Sequence, residues 1–96
     1  MDRQRALNVL SKSKPLLRER FGVTRLALFG STARGQASDD RDVDILVGFS
    51  GPATSERYFG VQFYLEDQLG QAVDLVTERA LRPELKPFIE QERLDV

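Results

Sequence analysis

Ninety-six residues carry 14 Lys and Arg against 15 Asp and Glu, a net charge of −1, with 41% of positions apolar. That is enough for one modest core, so residues 1–96 are expected to form a single domain. The chain has no cysteine and no histidine. Disulfide and thiolate chemistry are excluded, and catalysis must run on carboxylates, hydroxyls and cations. Any metal would then meet hard oxygen ligands, which favour magnesium or manganese over zinc. No apolar run approaches the ~18 residues of a membrane span, and the N-terminus lacks a signal-peptide pattern, so a cytoplasmic protein is expected. Charge is uneven: residues 1–25 hold seven Lys and Arg against two acids, and residues 56–96 hold five against nine. The basic stretch lacks interleaved aromatics, so it reads as a solvated helix face rather than a nucleic-acid surface.

From Arg3 to Phe21 the apolar residues Ala6, Leu7, Leu10, Leu17 and Phe21 recur near helical spacing. Pro15 predicts a break or kink near Ser13-Lys14, and Gly22 supplies the C-terminal cap. A first strand follows over about Thr24 to Phe29, then a helical turn over Thr32 to Gly35. A polar loop from Gln36 to Arg41 leads to a second strand, about Asp42 to Gly48. Gly48, Gly51 and Pro52 mark the next loop, and Thr54 or Ser55 caps a helix that runs to about Leu69. That helix places Tyr58, Val61, Leu65 and Leu69 on one stripe. Phe59, Phe63 and Tyr64 beside it exceed what one packing face needs, which reads as a partly buried aromatic cluster or as a docking surface for a partner, the basic N-terminal helix being the other candidate surface. A third strand over Ala72 to Thr77 and a last helix, starting after Pro83 or Pro87 and ending near Arg93, complete an α/β fold. Its sheet is mixed, of about three strands, flanked by helices.

The chemistry gathers between Leu26 and Val47. Alternation along a strand puts Asp42 and Asp44 on one face and Val43, Ile45 and Val47 on the other. Two carboxylates ~6 Å apart repel by about 2–3 kcal/mol at an effective dielectric near 20, and a divalent cation reverses that sign. Upstream, the first strand halts at Gly30-Ser31. A glycine lets a ligand approach the main chain, the serine adds a hydroxyl donor, and a helix start favours anions. Arg34, in the same turn, either meets a phosphate or pairs with Asp39 or Asp40. Asp74 is a lone acid in an apolar strand, and a buried carboxylate there would need a partner, a proton or a metal. These parts suit nucleotidyl transfer, in which two metal ions about 3.5–4 Å apart activate an attacking oxygen and clamp the leaving pyrophosphate. Asp42 and Asp44 would bridge the ions, with Asp74 beside the attacking hydroxyl. Neighbouring strands lie ~4.8 Å apart, close enough for an acid on strand three to reach a metal held by strand two.

Gly30-Ser31-Thr32-Ala33-Arg34-Gly35, then Asp42-x-Asp44, then Asp74, resembles the minimal nucleotidyltransferase family of the DNA polymerase β superfamily. The resemblance extends over nearly the whole chain, from Phe21-Gly22-Val23 to Leu81-Arg82-Pro83. It implies binding of magnesium and a nucleoside triphosphate such as ATP, with Gly30, Ser31 and Arg34 against the phosphates and Asp42, Asp44 and Asp74 as metal ligands and catalytic acids. Many such proteins resemble the antitoxin of a toxin–antitoxin pair, which silences a helical HEPN-domain ribonuclease by attaching AMP to its tyrosine. The residue before the first acid, usually serine in the family, is here Arg41, which either pairs with Asp42 or meets a phosphate. Two other readings compete: an antitoxin that neutralises its partner by contact alone, and transfer to a small-molecule hydroxyl. The three acids argue against the first. The lack of room for an acceptor-binding domain argues against the second.

Overall fold

A computed structural model describes residues 1–36 and 41–96. The chain runs α1 (Arg3–Phe21), β1 (Val23–Phe29), α2 (Gly30–Ala33), β2 (Val43–Phe49), α3 (Ser55–Leu69), β3 (Val73–Thr77), a 3₁₀ turn (Glu78–Ala80), α4 (Lys86–Glu92) and β4 (Leu94–Asp95). The strands form one sheet in the order β3-β2-β1-β4. β1 is antiparallel to both β2 and β4, and β2 is parallel to β3, so the sheet is mixed as expected. Four strands rather than three are described. The extra one, β4, is a two-residue pairing of Leu94 and Asp95 with Leu28 and Ala27, too short to leave a period in the sequence.

Alternation along the strands divides the core into two layers. Leu26, Leu28, Val43, Ile45, Val47, Val73 and Leu75 join Leu10 and Leu17 of α1 and Val61, Leu65 and Leu69 of α3. On the opposite face, Ala27, Phe29 and Leu46 meet Ile89 of α4. Both strands of the central pair are therefore apolar on both faces, except at Thr24 and Arg25 of β1 and where β2 begins.

α1 is a single continuous helix, with no break at Ser13-Lys14. The Asp2 carboxylate accepts from the Gln4 N–H at 3.0 Å, and Gly22 closes the helix at φ 71°. Pro15 is exposed, as is Ser11, whose carbonyl loses its donor to the proline ring. That carbonyl lies on the wet side of the helix, while Leu10, Ser13 and Leu17 hold the dry side to the sheet. Packing therefore overrides the local penalty.

α3 begins as expected, with the Thr54 hydroxyl accepting from the Arg57 N–H, and ends at Gly70. Its second stripe closes the free edge of β3. The Tyr58 hydroxyl donates to the Leu75 carbonyl at 2.6 Å, Gln62 Nε2 donates to the Val73 carbonyl at 3.1 Å, and Glu66 accepts from the Val73 N–H at 2.9 Å. Spacing of four along a helix aligns these three side chains with the strand. Phe59 and Phe63 stack at 5.9 Å on the outside, 48% and 63% exposed. Among the described residues, no helix is long and apolar enough to cross a membrane.

Candidate active site

Sheet register builds the site. Phe29 pairs with Asp44 across the β1–β2 ladder, and Asp44 pairs with Asp74 across β2–β3. The end of β1, with Gly30 next, therefore lies in one row with two of the three candidate acids. Gly30 sits at φ 72°, a left-handed conformation that other residues adopt at a cost. A Cβ at Gly30 would also overlap the Asp44 carboxylate. Glycine is required here twice, once for the turn and once for the close approach of main chain to acid.

α2 starts at Gly30 rather than Thr32 and is a single turn of four residues. The Gly30 carbonyl accepts from the Arg34 N–H at 3.1 Å and that of Ser31 from the Gln36 N–H at 2.8 Å, which tightens the loop. So short a helix has little macrodipole, and attraction for an anion falls to individual N–H groups and to Arg34. Gly30, Ser31, Arg34, Arg41, Asp42 and Asp44 line one open cavity of ≈ 430 Å³. Five of these are the expected site residues; Arg41, the departure from the family pattern, faces the same space.

The three acids are not equivalent. Asp42 lies just before β2 and is exposed, and Asp74 is exposed as well, which corrects the expectation of a buried acid on strand three. Asp74 lies outside the cavity lining but meets Asp44 directly, through a hydrogen bond between the two carboxyl groups. Asp44 is half-buried between its neighbours, and its pKa is raised from the ordinary 3.8 to about 6. Burial is the largest cause, followed by the charge and hydrogen bond of Asp74 and then the charge of Asp42, with Arg34 pulling the other way. Neighbouring acids that raise the affinity of Asp44 for a proton equally dispose it to share a cation with them. The donor set is hard oxygen throughout and so fits magnesium. Among the described residues no three acids close tightly enough to form a finished cage.

Arg34 has a partner that lies far away in sequence. Its Nη1 donates to Glu92 Oε2 at 2.8 Å, and Glu92 Oε1 accepts from the Gly30 N–H at 3.2 Å. The expected partners Asp39 and Asp40 lie outside the described residues, as does most of the Gln36–Arg41 loop. Glu92 left no signal in the sequence, because it is one of nine acids after residue 55 and meets the loop only when α4 packs on the sheet. Among the described residues no ion pair joins Arg41 to Asp42. The Arg41 carbonyl accepts from Gln71 Nε2 at 2.6 Å, which ties the entry of β2 to the entry of β3.

Comparison with known proteins agrees with this geometry. The model of the nucleotidyltransferase domain family matches residues 10–96. The protein adenylyltransferase MntA of Thermococcus cleftensis is 44% identical over 75 residues, which are 78% of this chain and 76% of the relative. A solved structure described as a minimal nucleotidyltransferase superposes with a TM-score of 0.83 at 35% identity, covering 100% of this chain and 97% of the other. The MNT antitoxin complex with a tri-AMPylated Shewanella oneidensis HEPN toxin shares the fold, with a TM-score of 0.68 at 22% identity over 94% of this chain and 70% of that one. Fold, family match and relatives converge with the loop and the acids: this chain is a nucleotidyltransferase and belongs to the minimal nucleotidyltransferase family.

Proposed function

We propose that this protein transfers AMP from ATP to a hydroxyl, a tyrosine in the first instance, of a HEPN-type toxin and so acts as its antitoxin in the cytoplasm. The observation that carries the reading is the in-register contact of Asp44 with Asp74 beside the Gly30 loop. A protein that only bound its partner would gain nothing from holding carboxyl groups together against their repulsion. The relatives support the choice of acceptor, through an adenylyltransferase at 44% identity and a fold neighbour bound to an AMPylated HEPN toxin.

In this reading Gly30, Ser31 and Arg34 bind the triphosphate. Two magnesium ions on Asp42, Asp44 and Asp74 would supply the positive charge that offsets the carboxylates and polarises the phosphoryl oxygens. The acceptor hydroxyl approaches from the Asp74 side, and its proton passes to the Asp74 carboxylate. A bond forms from the acceptor oxygen to the α-phosphorus as the bond from that phosphorus to the bridging oxygen breaks. Pyrophosphate then leaves along the Gly30 loop, where Arg34 meets its charge. The test is to incubate the protein with the product of its neighbouring gene, ATP and magnesium, and to weigh that product by mass spectrometry. A gain of one or more AMP units, absent with Asp42→Asn, is the expected result. A tight complex whose mass does not change, formed equally by Asp42→Asn, would refute transfer.

A further inference from the structure

Two of the donors assigned above to the triphosphate, the Gly30 N–H and Arg34, are already engaged by a side chain. Glu92, the last residue of α4, lays one oxygen against the Gly30 N–H at 3.2 Å and the other against Arg34 at 2.8 Å. One planar anion spread over a backbone N–H and a guanidinium is bound much as a phosphate would be. Folding does not favour an acid at this position, since the C-terminal end of a helix disfavours negative charge. Nor does the core need it: Ile89 is the residue that anchors α4.

We propose that Glu92 is an internal competitor for the nucleotide, a carboxylate that occupies the phosphate-binding donors until the triphosphate displaces it. The proposal rests on the assignment of Gly30 and Arg34 to the triphosphate. A site that is blocked for part of the time binds with an apparent Kd equal to the intrinsic Kd divided by the open fraction. If Glu92 is engaged about nine-tenths of the time, nucleotide affinity is lowered about tenfold. The repulsion between a carboxylate and a triphosphate adds to this in the same direction. Glu92 thereby sets the nucleotide concentration at which the site fills, and holds Arg34 in place when the site is empty.

Calorimetric titration of magnesium AMP-PNP into the whole chain tests this, comparing the wild type with Glu92→Gln, Arg34→Ala and the double variant. Glu92→Gln should bind about tenfold more tightly, because the rival charge is gone. Arg34→Ala should cost more affinity in the Glu92→Gln background than in the wild type, since only there is the guanidinium free for phosphate from the outset. Glu92→Asp, too short to span both donors, should also bind more tightly and serves if Glu92→Gln folds poorly. Unchanged or weaker binding by both Glu92 variants, with the wild type binding normally, would overturn the competitor and leave Glu92 as a residue that positions Arg34. No binding by any form would overturn the triphosphate assignment and the competitor together.

Discussion

Asp44→Asn should stabilise the metal-free protein at neutral pH and leave it unchanged in acid. The Asp44 pKa rises from 3.8 to about 6 on folding, so the folded state binds the proton more tightly than the unfolded chain. Stability therefore falls as pH rises from about 4 to 6, and above 6 the full penalty for ionising Asp44 is present. Two pH units correspond to about 3 kcal/mol at most, and because the group is only half-buried, solvent screening brings this to about 1–2 kcal/mol. Asparagine removes the charge yet keeps a donor for the Asp74 carboxylate, so the contact survives. For a chain of this size 1 kcal/mol moves the melting temperature by about 4–8 °C. Thermal unfolding in a chelating buffer should show Asp44→Asn at least that much above the wild type at pH 7.5, and the two coincident near pH 3.5. A variant less stable than the wild type at pH 7.5, or an equal difference at both pH values, would refute the claim that burial and the neighbouring acids together penalise an ionised Asp44.

Magnesium and ATP together should reverse that order, stabilising the wild type by about 2.7 kcal/mol at a hundredfold excess over Kd, with little effect on Asp44→Asn. A melting scan that no triphosphate shifts would rule out a nucleotide site here. Asp42→Asn should abolish AMP transfer without lowering the unfolding midpoint, whereas Asp74→Asn should reduce kcat far more than nucleotide affinity; steady-state kinetics beside calorimetry separate the two. Arg41 lines the cavity, and among the described residues no ion pair joins it to Asp42. Arg41→Ser should therefore weaken nucleotide binding, by about 1–3 kcal/mol if the contact is charge-assisted, rather than tighten magnesium binding. Parallel titrations with each ligand decide between these outcomes.

Much of the candidate site is legible in the sequence because it obeys short-range periodicity. The alternation of Asp42 and Asp44 with Val43 and Ile45 is a strand pattern, and Gly30-Ser31 ends an apolar run, so strand, turn and acids could be placed from the chain alone. Asp74 stood out as a charge among apolar neighbours, although the sequence could not say that its side of the sheet is open. What the sequence does not show depends on contacts between distant segments. Glu92 reaches Gly30 and Arg34 across about sixty residues of chain, and β4 exists only because β1 offers an edge. The helix through Pro15 departs from the expected break for a related reason. The proline penalty is local and visible, but the packing of Leu10 and Leu17 that outweighs it is not.

The stripe of Tyr58, Gln62 and Glu66 along the outer edge of β3 has a consequence for how an acceptor can arrive. An open sheet edge next to Asp74 would invite an extended peptide to pair as an extra strand, whatever its side chains. Here the outward carbonyls of Val73 and Leu75 and the N–H of Val73, on either side of Asp74, are already taken by α3. Backbone pairing is closed off at the point nearest the third acid. On the proposed function an acceptor would then present its hydroxyl from a shaped surface, and selectivity would rest on side-chain fit rather than on strand addition.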